Sequence, residues 1–194
     1  MIVPEVCLPL LREQRTHMKD PSEYGAELAR TFEGFRAYLP RRAERIMDIG
    51  CGMAGIDVLM HRHYPDAEIV LVDKHGVSDV IRSGFADHRD EMSHYHDFGQ
   101  ALALLEANGV DLPRVTTHDV TDQDLPDGVF DVVISLLSWG FHYPIQDYAP
   151  SVRPGGVIIA DCRRGTGGDK VLSKRGAVRV VHSSAKYDRV VCQC

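Results

Sequence analysis

The chain has 194 residues, 44% of them hydrophobic and 26% charged, with a formal net charge of −6. That is enough chain for one domain with a sizeable core and too little for two, and its 10 Pro and 17 Gly are spread along it, which excludes a disordered or collagen-like protein. The charge is uneven: residues 161–194 carry eight Lys/Arg against three Asp/Glu, a balance of +5 that leaves −11 on residues 1–160. An acidic body argues against nucleic acid as a partner, because such binding rests on phosphate neutralisation.

The most apolar stretch, residues 130–141, is interrupted by Asp131 and is far too short to span a membrane. The opening residues MIVPEVCLPLLREQR carry Glu5, are broken by Pro4 and Pro9 and lack a basic leader, so they do not read as a signal peptide. Cys7, Cys51, Cys162, Cys192 and Cys194 follow no zinc spacing and are odd in number, which suits a reducing cytoplasm. Cys192 and Cys194 read as a frayed terminus.

In chain order, Asp20-Pro21-Ser22-Glu23 predicts a helix start, and Tyr24, Leu28, Phe32, Phe35 and Leu39 an amphipathic helix stopped by Pro40. Ile46, Met47 and Ile49 form a short strand that runs into glycines, and Ile56, Leu59 and Met60 mark a helix ahead of Pro65. Residues 68–73 (EIVLVD) read as a buried strand ending in an acid. Asp97 and Gln100 cap a helix through Ala107, with Asn108-Gly109 as its left-handed stop. Strands are expected over 114–118 and 130–137, then a helix over 144–152. The turn Arg153-Pro154-Gly155-Gly156 leads into a strand over 157–160, and runs 177–182 and 189–192 close as an antiparallel hairpin. Strands alternating with helices imply one α/β domain with a mostly parallel sheet covered on both faces.

The segment Asp48-Ile49-Gly50-Cys51-Gly52-Met53-Ala54-Gly55 joins the first strand to its helix, which in an open parallel sheet is where ligands bind. Its Gly50-x-Gly52-x-x-Gly55 spacing, with Asp73 eighteen residues on, also matches a dinucleotide site. Asp48 separates the two readings. A pyrophosphate wants a helix N-terminus without a nearby carboxylate, whereas S-adenosylmethionine (SAM) carries an α-ammonium and a sulfonium and no phosphate. Asp48 therefore speaks against a nicotinamide oxidoreductase.

At these residues the chain resembles the class I SAM-dependent methyltransferases, whose first motif, acid-x-Gly-x-Gly-x-Gly, stands here as Asp48 to Ala54 with Ala54 in place of the third glycine. The resemblance runs from about Ile46 onward and implies a three-layer Rossmann-like sandwich, with a mostly parallel seven-stranded sheet closing in an antiparallel C-terminal hairpin. It implies that Asp73 binds the ribose hydroxyls and Asp119 the adenine amino group, with the Val120 N–H suited to a ring nitrogen. Phe130-Asp131-Val132-Val133-Ile134-Ser135 resembles the family's fourth strand, and Val152-Arg153-Pro154-Gly155-Gly156 the turn into its fifth. The implied cofactor set is Asp48, Gly50, Gly52, Asp73, Asp119, Val120 and Ser135, with S-adenosyl-L-homocysteine as product.

Methyl transfer is an in-line displacement that mainly needs alignment, with a base only where the acceptor must lose a proton. The loop after the fourth strand, Ser138-Trp139-Gly140-Phe141-His142-Tyr143-Pro144, offers His142 as candidate general base, Tyr143 to orient, and Trp139 and Phe141 as a wall for an apolar or cationic group. It lacks the Asn/Asp-Pro-Pro-aromatic signature of enzymes that act on planar nitrogens. Arg163, after the fifth strand, is placed to hold a carboxylate or phosphate of a substrate.

Residues 1–44 are expected to form a helical cap and 75–96 an inserted lid, within a single domain of 1–194. His61 and His63 fall on different helix faces, and His94 and His96 lack a third ligand at an informative spacing, so no metal is expected. The expected protein is a cytoplasmic methyltransferase of a small, polar or anionic metabolite, without membrane partners, monomeric or homodimeric. The alternatives are a protein or RNA acceptor docked on the basic C-terminal segment, and a SAM-binding module without catalysis.

Overall fold

Apolar runs become strands and amphipathic segments become helices in nearly the predicted order. The computed structural model describes residues 1–14, 20–74, 76–81, 92–120, 126–141, 145 and 151–194. In chain order they form α1 (Leu8–Gln14), α2 (Glu23–Arg36), β1 (Arg45–Ile49), α3 (Gly55–His63), β2 (Glu68–Asp73), β3 (Gly76–Ile81), β4 (Met92–His96) and α4 (Phe98–Ala107). There follow β5 (Val115–Asp119), β6 (Val129–Ser135), β7 (Ser151–Arg163), α5 (Gly168–Leu172), β8 (Ala177–Ser183) and β9 (Tyr187–Gln193).

Seven strands make one sheet in the order β5-β2-β1-β6-β7-β9-β8. β5, β2, β1, β6 and β7 run parallel, and β9 enters antiparallel between β7 and β8. This is the expected Rossmann-like sheet with its antiparallel close. β3 and β4 pair antiparallel as a separate ribbon, with β4 near α1.

Central strands β1, β2 and β6 are almost wholly buried, as apolar runs covered on both faces must be. The edges differ. β5 (VTTHD) and β8 (AVRVVHS) are polar and partly exposed, which discourages pairing with another sheet. Alternation divides the core. Ile46, Ile69, Leu71, Val132, Ile134, Val157, Ile159 and Val191 face the helices α1 to α4, and Met47, Ile49, Val70, Val72, Val133, Ile158 and Val190 face Trp139, Ile145 and Leu172 of α5. Asp48, Asp73, Asp161 and Arg189 therefore fall on the α2/α3 face.

The Asp97 cap forms as expected, its Oδ1 accepting from the Gly99 N–H at 2.7 Å, and Gly109 follows at φ +78°. Other boundaries move. α2 ends at Arg36, short of Leu39, and β6 ends at Ser135, short of Leu137. Within the expected helix over 144–152, Ser151 and Val152 are strand, Ile145 is a 3-10 residue, and the remainder lies outside the described residues.

The turn expected at residues 153–156 is instead a bulge inside β7, where the register with β6 shifts between Phe130 and Val132. Two contacts hold it in the sheet. Arg153 Nε pairs with Asp131 at 2.8 Å, while the Gly155 N–H donates to the Cys194 carbonyl and the Cys194 N–H to the Gly156 carbonyl. Those same bonds order Cys194, and Cys192 is fully buried, so this segment is not frayed. α5 carries no strong sequence signal and was not anticipated.

Gly55 has a packing role. A β-carbon there would collide with Tyr24 Oη and Leu28 Cδ1, so the missing side chain is what lets α2 close on α3. Gly55→Ala is expected to cost about 1–3 kcal/mol through overpacking, read as a lowered urea midpoint. Unchanged stability would mean that α2 docks elsewhere.

Candidate functional site

The chain order reverses between β1 and β6, and the loops that leave their carboxyl ends meet there. In the first loop, Gly50, Gly52 and Ala54 all adopt left-handed backbone, at φ +72°, +53° and +53°. Ala54 accepts this conformation without being glycine, at a cost of roughly 1–2 kcal/mol. The Gly50 and Cys51 N–H groups both donate to the Val72 carbonyl, at 2.7 and 3.2 Å, which anchors the loop on the end of β2. At Gly50 a β-carbon would run into the Ser138 side chain, so the two loops touch at this point.

Asp73, at the end of β2, is nearly buried and brackets the loop. Its Oδ2 accepts from the Gly52 N–H and its Oδ1 from the Lys74 N–H, both at 2.8 Å. Asp119 lies beside it in register at the end of β5 and is half-buried. The Val120 N–H donates to the Asp73 carbonyl at 3.0 Å, so it is already engaged and reaches a ring nitrogen only by opening or sharing that bond.

Asp48 lies under the loop on the α3 side, 2% exposed. Its carboxyl is pushed well above the usual carboxylate range by burial, then by Asp57 and Asp73. Asp57, in the first turn of α3, is fully buried and is pushed up to about 7 by burial. Sequence reading passed over Asp57. Its signal was an acid between Ile56 and Val58 in a helix whose other early residues are apolar. Cys51, in the same loop, is also pushed up, chiefly by burial.

The second loop is held by buried side chains. Ser135, expected among the cofactor residues, is fully buried. Its hydroxyl donates to the Ile49 carbonyl at 2.6 Å and accepts from the Trp139 N–H at 2.8 Å, so it ties the end of β6 to the end of β1. Trp139, expected to wall the substrate site, is fully buried in the core on the opposite face from Asp48. Its large apolar surface outweighs its polar edge in that core, although Nε1 is left without an acceptor.

Leu137 sits at φ +59°, a strained conformation for a branched side chain. Its N–H donates to Asp161 Oδ2 at 3.2 Å. Asp161 in turn makes a bidentate pair with Arg189 across β7 and β9, at 2.7 and 2.9 Å, with the carboxylate fully buried. Burial pushes Asp161 up, while Arg189 and the Leu137 N–H pull it back. The sequence offered Asp161 as an acid after a strand and Arg189 as part of a basic segment and the start of the closing β-run, with nothing to pair them.

Arg163 lies at the end of β7 beside this loop. Its N–H donates to the Gly140 carbonyl at 2.9 Å, and its guanidinium lies 5.2 Å from the centre of the Phe141 ring, which packs edge-on against Tyr187. The neighbouring Arg164 pairs with Asp188 at 2.9 Å. His142 and Tyr143, the residues expected to attend the acceptor, lie outside the described residues, as do residues 82–91 of the expected lid. Among the described residues, no group of three or more His, Cys, Asp or Glu is placed to hold a metal, and no helix is long and apolar enough to cross a membrane.

No protein-family model and no curated protein matches the chain. Solved structures do. A precorrin-6y C5,15-methyltransferase from Geobacter metallireducens GS-15 is 17% identical, with 85% of this chain and 86% of that one covered, at a TM-score of 0.55. An O-methyltransferase family protein from Burkholderia thailandensis is 13% identical over 88% of this chain and 58% of that one, TM-score 0.55. A 16S rRNA N2 G1207 methyltransferase from T. thermophilus, solved with AdoMet and guanosine, is 16% identical over 91% of this chain and 43% of that one, TM-score 0.53. At such identities the likeness is one of fold, and that fold is the one shared by the class I SAM-dependent methyltransferases.

Proposed function

We propose that this chain is a SAM-dependent methyltransferase of a small, polar or anionic metabolite, working as one domain in the cytoplasm. The observation that carries the reading is the corner at the sheet's reversal point, where Asp48 lies beneath the Gly50–Gly52 loop and Asp73 brackets its far side. The residues fit the cofactor. A fully buried Asp57 with no donor at either oxygen leaves negative charge uncompensated where an ammonium group is expected, and a carboxylate at the end of β2 can accept from adjacent hydroxyls. Asp48, Gly50, Gly52, Asp73 and Asp119 would hold it. Bound SAM supplies an electrophilic methyl group.

The chain's own part is alignment. Ser135 and Asp161 fix the start of the loop after β6, and His142 and Tyr143, later in the same sequence segment, are assigned to the acceptor as general base and orienting group. Arg163, held against Phe141, supplies positive charge for an anionic acceptor. The helices of residues 1–44 serve as cap and the β3–β4 ribbon as lid.

Calorimetric titration with S-adenosylhomocysteine (SAH), with NADH in parallel, tests the cofactor. Micromolar SAH binding without NADH binding is expected, and the reverse would restore the dehydrogenase reading. Asp73→Ala should weaken SAH binding by about 10–100-fold, since a hydrogen bond to a charged group contributes about 1.5–3 kcal/mol. Unchanged affinity would contradict the ribose assignment. A second reading, a protein or RNA acceptor, is favoured by the exposed Lys170, Lys174, Arg179 and Lys186 around α5 and β8. Steep salt dependence of binding to a macromolecule would select it.

A further inference from the structure

Asp57 has no part in the account above beyond its charge. It is fully buried in the first turn of α3, and with both acids ionised neither of its oxygens has a hydrogen-bond donor. Its side chain meets that of Asp48. An ionised carboxylate only accepts hydrogen bonds, so this contact is a bond only when one of the two acids holds a proton.

Among the described residues, the groups that act on the pair bring no counter-charge. Asp73 and Cys51 flank the pair from β2 and the glycine loop, α2 brings Tyr24 against α3 at Gly55, and Arg189 on the same sheet face is engaged by Asp161. Among the described residues no Lys or Arg acts on either carboxyl. Two apolar residues would fill this space at lower cost, because a buried charge without a partner is expensive. The pair makes sense if its cation arrives from outside, through the glycine loop directly above it.

Resting on the cofactor reading, we infer that Asp57 is a positioning residue for ligand binding: it shares one proton with Asp48 in the ligand-free protein, and that proton leaves to solvent when the ligand's α-ammonium group settles beside Asp48. The charge balances. The pair goes from −1 to −2 as one positive charge comes in. Asp57 thereby aims the Asp48 carboxyl and makes it answer to the ligand's charge as well as its shape. The high proton affinity that burial confers on both acids agrees with this.

The test titrates SAH calorimetrically in phosphate and in Tris, whose different ionisation heats report protons released. About one proton per SAH is expected near pH 6, with affinity tightening by up to about tenfold for each unit that pH rises in the range below neutrality. 5′-Methylthioadenosine, which keeps the nucleoside and lacks the ammonium, should release none. Infrared spectra of the ligand-free protein should show a protonated-carboxyl band that SAH removes and that Asp57→Asn lacks, with SAH binding to that variant pH-independent. SAH binding without proton release, equal release with 5′-methylthioadenosine, or no such band each overturns the role of Asp57 alone. A protein that shows the band and does not bind SAH overturns the cofactor reading and the role with it.

Discussion

Arg189→Met is expected to destabilise the protein by about 3–5 kcal/mol, the cost of leaving one member of a buried ion pair behind. The substitution keeps most of the side chain's volume and removes both of its bonds to Asp161, whose carboxylate is fully buried. The Leu137 N–H, at 3.2 Å, is then the only donor left to it among the bonds described. In the variant the unpaired Asp161 takes up a proton more readily folded than unfolded. Its deficit is therefore greatest at alkaline pH and shrinks as pH falls and the charge is removed. Urea midpoints at pH 5 and pH 8 measure this, and equal deficits at both would contradict it.

The double variant Asp161→Leu with Arg189→Met separates stability from site geometry. Replacing both partners of a buried pair by apolar residues is often neutral, so most of the lost stability should return. Ligand affinity should not, because Leu137 at φ +59° loses the acceptor that holds its strained backbone. Full recovery of SAH affinity would show that the pair has no part in shaping the loop.

Gly50→Ala should be the most damaging single change to ligand binding. The new β-carbon collides with the Ser138 side chain, and the backbone at φ +72° disfavours any side chain. Left-handed strain of about 1–2 kcal/mol and overpacking of about 1–3 kcal/mol both fall on the meeting point of the two loops. If restoring the binding geometry costs about 3 kcal/mol, only about one molecule in a hundred holds it, and SAH affinity drops about 100-fold. Adding Ser138→Gly removes the collision and leaves the strain, so it should recover part of the loss. Wild-type affinity in Gly50→Ala would mean that the loops do not need to touch.

Features that depend on near neighbours were legible in the chain itself. β2 begins and ends at the predicted residues 68 and 73, because four apolar residues between Glu68 and Asp73 state both burial and terminus. Asp97 caps α4 through a bond two residues away. The left-handed turns at Gly50 and Gly52 follow from residues that alone adopt them cheaply. From these, the order of strands and helices and the place of the glycine loop could be read.

What sequence alone left open was decided by partners far apart in the chain. Asp161 and Arg189 are 28 residues apart, and only the antiparallel register of β7 and β9 sets them opposite one another. Ser135, implied as a cofactor residue, ties β6 to β1 because its hydroxyl meets the Ile49 carbonyl, 86 residues away. Trp139 looked like a pocket wall, yet an apolar surface of that size goes where the fold leaves an unfilled face. Asp57, which sequence reading passed over, is a fully buried neighbour of Asp48 where α2 closes on α3 at Gly55. Local periodicity specifies which face of an element is apolar; which charged groups are trapped beneath it depends on how those faces meet.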